Sequence, residues 1–308
     1  MIESLNRTYG TDGSLSAGRT TALLDRLWTD GRLGILVVVG VAALFALLSA
    51  WWTPRGPITT AEALTTMGAA LLVGLLVGLL SGRRWSLLAA TLTFLLVFEV
   101  ARAGVDGPTV DGIHLGSLYG VIAFVVGRLF HGVLALVPLW LGAMGGIWLA
   151  GRLGNEAVRW GTGSWIVTGL LGILTVGVAV MLAQPGTTPP IVGADGAPPV
   201  DSVAELVAVP IGGHEQTLLI RGRSTENPVL LYLAGGPGGT DLGAIRRDTG
   251  LEQDFIVVSW EQRGVGKSYA ALDPAETLTL DQMVADTIEV TTYLHERFDE
   301  EKIYIVGN

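Results

Sequence analysis

Residues 33–52, LGILVVVGVAALFALLSAWW, run for twenty positions without a charge. As a helix rising 1.5 Å per residue, such a run covers the roughly 30 Å of hydrocarbon in a bilayer. Few soluble folds can bury a helix that is apolar on every side, so this run sets the terms for the rest of the chain. Stretches 63–82, 131–150 and 164–183 meet the same criterion, and a shorter one, 85–101, does so around Glu99. Thirty-two mostly polar residues precede the first run, which makes it a retained span and a poor signal peptide. Trp51, Trp52, Trp85, Trp148 and Trp165 fall near the span ends, where indole rings settle at headgroup depth.

Residues 116–130, GSLYGVIAFVVGRLF, hold too few apolar positions before Arg128 to cross alone. They read as an interfacial or re-entrant piece feeding the next span, for five crossings in all. With the N-terminus inside, the cytoplasmic segments carry Arg19, Arg26, Arg32, Arg83, Arg84, Arg152 and Arg159. The outer loops carry only Arg55 and Arg102, followed by Asp106 and Asp111. The positive-inside rule favours that orientation in a plasma membrane and puts everything after residue 184 outside the cytoplasm. A sixth crossing would move the C-terminal region inside.

Within the spans, Glu99 lies one turn before Arg102, a spacing that suits a local ion pair better than a proton relay. His131 reads as interfacial. Gly74-x-x-x-Gly78 and Gly142-x-x-x-Gly146 allow close helix approach, and packing inside the bundle accounts for them without a dimer.

Charge divides the chain at the same place as hydropathy. Residues 1–184 hold 11 Arg and 9 acids, whereas 185–308 hold 8 basic and 19 acidic residues, within a net charge of −9. An acidic domain without a basic stripe does not meet nucleic acid. The absence of cysteine removes disulfides, thiol nucleophiles and thiolate metal sites. The expected organisation is a cytoplasmic segment 1–32, a transmembrane region 33–184, a proline-rich spacer 185–203 and a globular region 204–308.

Past the spacer the pattern changes to alternating strands and helices. Residues 204–211 and 215–222 form a hairpin around GGHE, 228–233, 255–260 and 303–307 are short buried strands, and 279–298 is a helix. Met283, Ile288, Val290 and Leu294 are its apolar positions, with Thr279 or Asp281 as its cap. The fold class expected is a helical membrane bundle followed by an α/β domain with a mainly parallel sheet. In such sheets chemistry collects at the carboxyl ends of the strands.

Three stretches sit at those ends. LAGGPGGTD follows the first buried strand, with Gly235, Gly236 and Gly238 around Pro237; it lacks the third glycine of a dinucleotide fingerprint. WEQRGVGKSY follows the next. Its Gly266-Lys267-Ser268 imitates a phosphate loop, but Glu261 stands where the loop requires glycine, and a carboxylate there repels phosphate. The third stretch, ending in Gly307-Asn308, matches the entry to a nucleophile elbow, in which Gly flanks a serine on a strained strand-to-helix turn.

Together these motifs resemble the proline iminopeptidase branch of the α/β-hydrolase superfamily, which carries H-G-G-P-G, D-Q-R-G-x-G-x-S and G-x-S-W-G after successive strands. Here they read Ala234 to Gly238, Glu261 to Ser268, and Gly307-Asn308, in the same order. Ala234 replaces the family's His and Glu261 its Asp. The resemblance spans roughly residues 203–308 and implies a serine peptidase without cofactor or metal, acting on peptides or small esters. It implies that the backbone N–H of Gly236 is one oxyanion donor. Gly235, Pro237, Gly238, Gln262, Arg263, Gly264 and Gly307 would shape the adjoining loops. It also implies that the serine, acid and histidine of the triad lie beyond Asn308, so that these 308 residues alone are inactive.

Residues inside the chain make poor substitutes. Ser164 in GTGSW opens a span and lacks flanking glycines. His214 and His295 read as surface residues, and His114, near Asp111, as a weak metal candidate. A contrasting expectation is a non-enzymatic one, in which the membrane region acts as scaffold or receptor and the globular region is a hydrolase-like binding module.

Overall fold

The computed structural model describes residues 22, 24–54, 58–104, 115–154, 160–193, 195–235, 239–272 and 275–307. They form two compact units that divide between Gln184 and Pro185. The first contains five helices long and apolar enough to cross a membrane: α1 (Gly31–Trp52), α2 (Thr60–Ser81), α3 (Trp85–Arg102), α4 (Leu118–Arg152) and α5 (Thr162–Ala183).

Their boundaries follow from capping chemistry. The Asp30 carboxylate accepts from the N–H groups of Arg32 and Leu33 at the start of α1. Thr59 and Glu62 form a reciprocal capping box on α2, which ends at Gly82 in the left-handed region at φ 57°. Ser117 caps α4 through the N–H of Gly120 at 3.0 Å.

Helix α4 corrects the expectation for 116–130. Residues 118–130 are neither re-entrant nor separate; they continue without a break into 131–150 as one helix of 35 residues. At 1.5 Å per residue it is about 52 Å long, well beyond a hydrocarbon core. The apolar count before Arg128 is a poor guide because nothing between Ser117 and Pro138 breaks the helix. Pro138 lies inside α4.

The glycine pairs explain how α2 and α4 pack. A Cβ at Gly74 would lie 2.8 Å from the carbonyl carbon of Leu139, and one at Gly78 as close to that of Ala143. From the other side, a Cβ at Gly142 would meet the backbone of Leu71 and Leu75, and one at Gly146 that of Leu75 and Leu79. Each helix thus seats its glycines on the other's main chain, the small-residue contact anticipated for the bundle interior. On the far side Phe45 of α1 stacks on Phe94 of α3 at 5.2 Å, and Phe94 on Phe98 at 5.5 Å.

Glu99 does not pair with Arg102. Its carboxylate takes Arg128 of α4, with Nε at 2.5 Å and Nη2 at 2.8 Å. Arg102 instead donates to the carbonyls of Ala50, Thr53 and Pro54, closing the C-terminal end of α1. The 29-residue separation makes the true partner invisible to a local spacing rule. Ser164 at the start of α5 accepts from Arg84 at 2.7 Å.

The second unit is built on five strands: β1 (Val203–Ile211), β2 (His214–Gly222), β3 (Val229–Leu233), β4 (Ile256–Glu261) and β5 (Ile303–Gly307). It also holds a short helix α6 (Leu242–Ile245), the long α7 (Leu280–Phe298) and 3-10 turns such as Gly266–Leu272. The sheet order is β1-β2-β4-β3-β5. It is mixed and not mainly parallel: β1–β2 and β2–β4 are antiparallel, while β4–β3 and β3–β5 are parallel. The hairpin supplies the antiparallel half, because its two-residue turn, Gly212-Gly213, has positive φ at both positions and forces β2 back along β1.

The core lies between the sheet and α7, where Val290 and Leu294 meet Ile220, Leu231, Ile256 and Val258. Thr279 caps α7 by accepting from Gln282 N–H at 3.2 Å. The proline-rich residues are not a free spacer over 188–192. Arg221 donates to Thr188 Oγ1 and Pro189 O, each at 2.6 Å, and Ile191 is buried. Among the described residues strand β5 is bonded on one side, by β3, and its Tyr304, Ile305 and Val306 are about half exposed.

Candidate active site

Strand register brings the three motif stretches together. Leu233 of β3 is level with Trp260 of β4 on one side and with Gly307 of β5 on the other. The carboxyl ends of β3, β4 and β5 therefore lie side by side, at strand spacings near 4.8 Å. Carboxyl ends of parallel strands are where α/β sheets commonly hold ligands.

Ala234, 9% exposed, and Gly235 lead into the central turn. Gly236, Pro237 and Gly238, the first of them the expected oxyanion donor, lie outside the described residues. The turn closes with Gly239 N–H on Gly235 O at 3.3 Å, and a Cβ at Gly239 would lie 2.6 Å from that oxygen, so the closure requires glycine there. Gly307 sits at the end of β5, where a Cβ would meet nothing within 4 Å. Asn308 and His114 also lie outside the described residues.

After β4 the chain makes two tight bends. Gly264 and Gly266 take φ +81° and +48°, the left-handed region where glycine carries no Cβ penalty. Gly264 N–H donates to Ser268 O, and Thr217 N–H to Ser268 Oγ at 2.8 Å, which ties the loop to β2. Ser268 is thus structural. The Glu261 side chain turns into this loop and accepts from Lys267 N–H at 2.7 Å and from Thr240 Oγ1 at 2.8 Å. A carboxylate occupies the loop's interior, and that disposes of the phosphate-cradle resemblance.

Arg263 is turned onto α7. It is 3% exposed and forms a two-point pair with Asp286 of α7, Nε to Oδ2 at 2.9 Å and Nη2 to Oδ1 at 3.1 Å. Its remaining donors reach Ala271 O at 2.9 Å and Gly212 O at 3.1 Å. Asp286 also accepts from Gln216 at 3.0 Å and Gln282 at 2.7 Å. Burial raises the Asp286 carboxyl, but the hydrogen bonds of Arg263, Gln282 and Gln216 and the Arg263 charge outweigh it and hold the group below its ordinary value.

Counting only apolar positions on α7 misses this network. Asp286, Val290 and Leu294 are its buried stripe, at i, i+4 and i+8, while Ile288 is exposed. An acid inside such a stripe is the available signal.

The wider comparisons are sparse. No family model matches the chain, and no solved structure matches it. Over 112 residues it is 39% identical to a protein of Bacillus subtilis (strain 168) named probable aminopeptidase YbaC. That alignment covers 36% of this chain and 35% of the relative. The chain therefore spans about a third of the length of that protein.

Proposed function

We propose that the chain belongs to a membrane-anchored serine hydrolase of α/β-hydrolase type, an aminopeptidase that removes N-terminal residues from peptides outside the cytoplasm. The observation that carries the reading is the shared level of Leu233, Trp260 and Gly307, which aligns the ends of the three strands that carry the motifs. The partial likeness to a probable aminopeptidase agrees with it.

The chemistry is acyl transfer. A serine on the turn leaving β5 attacks the peptide carbonyl carbon through Oγ while a histidine takes its proton. The carbonyl electrons move onto oxygen, held by the Gly236 N–H and by the N–H following the serine. Collapse breaks the C–N bond, the histidine protonates the departing amine, and water then cleaves the acyl ester. In the order usual in this fold, the nucleophile, acid and histidine follow the strand that ends at Gly307. Two preset donors matter because losing one lowers the rate about 100- to 1000-fold. Arg263 and Asp286 tie the chain after β4 to α7 and to the β1–β2 turn and do not react.

The test is hydrolysis of aminoacyl-p-nitroanilides by the protein extended past Asn308, in membranes. The expected result is activity abolished by a fluorophosphonate and unaffected by chelators. An inert protein that nonetheless binds peptides would favour the scaffold with a binding module.

A further inference from the structure

Residues 186–192 of the proline-rich stretch lie along the second unit, and a buried arginine holds them there. Arg221 of β2 is 5% exposed and pairs with Glu252, just ahead of β4, Nε to Oε1 at 2.5 Å and Nη2 to Oε2 at 3.3 Å. Its Nη1 donates to Thr188 Oγ1 and to Pro189 O, each at 2.6 Å. Ile191 is buried, and Arg223 Nη2 reaches Val192 O at 3.3 Å. At the start of the stretch, a Cβ on Gly186 would lie 3.5 Å from Leu206 Cδ2 of β1 and 3.0 Å from Lys267 Cε.

The dependence runs both ways. Without Thr188 and Pro189, the Nη1 of a buried guanidinium would lose both of these acceptors, a costly state for a charged donor. The segment in turn suits its seat. Pro189 and Pro190 carry no N–H to satisfy, and each restricts the residue before it to extended backbone, so little conformational freedom is lost on docking. Past Val192 the chain reverses. Gly193 N–H donates to Ala197 O at 2.8 Å, and Gly196, at φ 82°, donates to Gly193 O at 3.1 Å. Gly196, Ala197 and Pro198 are exposed.

We infer that residues 186–192 are a strap, an extended segment seated on β2 and the turn before β4, and that this strap gives the second unit a short leash. Helix α5 ends at Ala183, so only Gln184 to Thr187 precede the first hydrogen-bonded tie. Those residues extend over about 14 Å at most, whereas an undocked 185–203 would extend over about 65 Å. The inference rests on the membrane anchoring of α5 and is independent of the chemistry at the strand ends. On so short a leash the second unit works beside the bilayer, on partners or substrates that reach the membrane.

The chain has no cysteine, so Glu226→Cys, at an exposed position, places a single fluorophore on the second unit. Time-resolved anisotropy is read on the full chain in lipid nanodiscs. A Gly-Ser-Gly-Ser insertion is placed either between Gln184 and Pro185, ahead of the strap, or between Gly196 and Ala197, behind it. Insertion ahead of the strap should shorten the slow rotational correlation time about twofold. The same insertion behind it should leave that time unchanged. Thr188→Val with Ile191→Ser frees the segment and should shorten the time without any insertion. Should the double change unfold the second unit, Thr188→Val alone takes its place. Equal effects of the two insertions, no effect of either, or an unchanged time in the loosened chain would each overturn the strap. A chain that stays out of nanodiscs would refute the anchoring, and the same insertions then judge the strap in detergent.

Discussion

Removing the Asp286 side chain puts the greatest load on the second unit. In the Asp286→Ala protein four hydrogen bonds vanish together: two from Arg263, one from Gln216 and one from Gln282. Arg263 keeps two carbonyls, but its charge is left buried without a counter-ion. Breaking one partner of such a pair costs about 3–5 kcal/mol, against a typical domain stability of about 5–15 kcal/mol. With a urea dependence near 2 kcal/mol per molar, the midpoint should fall by about 2 M. Pulse proteolysis of the second unit in mild detergent reads that midpoint. The double variant Arg263→Met, Asp286→Leu removes both charges and should recover to within about 1 kcal/mol of the parent. A shift below about 0.3 M for Asp286→Ala would refute the assignment of the pair as a keystone.

The same pair fixes a pH dependence. The Asp286 carboxyl is lowered in the folded state, so the unfolded chain binds more protons in acid. The stabilisation is therefore complete above the ordinary carboxylate value of about 3.9 and drains away as pH falls through the lowered native value. Asp286→Asn should flatten that acid limb while lowering stability near neutrality. In the membrane unit, Gly78→Leu or Gly142→Leu must drive a side chain into the facing backbone; overpacking of about 1–3 kcal/mol or more should lower the thermal midpoint by several degrees in detergent. An unchanged midpoint would contradict the α2–α4 contact. Arg128→Met should destabilise more than the double change Glu99→Gln, Arg128→Met, since the single change strands Glu99; equal midpoints would argue against the pair. A protease site placed at 193–197 should be cut in intact cells if the second unit is extracytoplasmic, and protection would reverse the orientation.

Much of the fold is legible in the sequence because its signals are local. Short apolar runs mark the strands, Gly212-Gly213 marks the turn, and the Thr279/Asp281 pair brackets the start of α7. The paired glycines are legible for the same reason, since a missing Cβ at spacing four has few uses in an apolar helix. What escapes is long-range or continuous. Glu99 finds Arg128 across 29 residues instead of Arg102 across three, and α4 runs through Arg128 without a break. The hairpin already makes the sheet mixed, but that β2 joins it beside β4, antiparallel, is a tertiary pairing that no residue pattern states. At the site, motif order leads to the aligned strand ends, whereas the ties of Glu261 to Thr240 and of Asp286 to Arg263 arise only once the strands are in register.

The central claim is that a serine on the turn after β5 is the nucleophile. The direct measurement is to label the protein extended past Asn308 with a fluorophosphonate and map the adduct by peptide mass spectrometry. The account predicts one adduct, on the first serine after Gly307-Asn308, lost together with activity when that serine becomes alanine. Peptide hydrolysis without an adduct, or an adduct elsewhere in the chain, would contradict it.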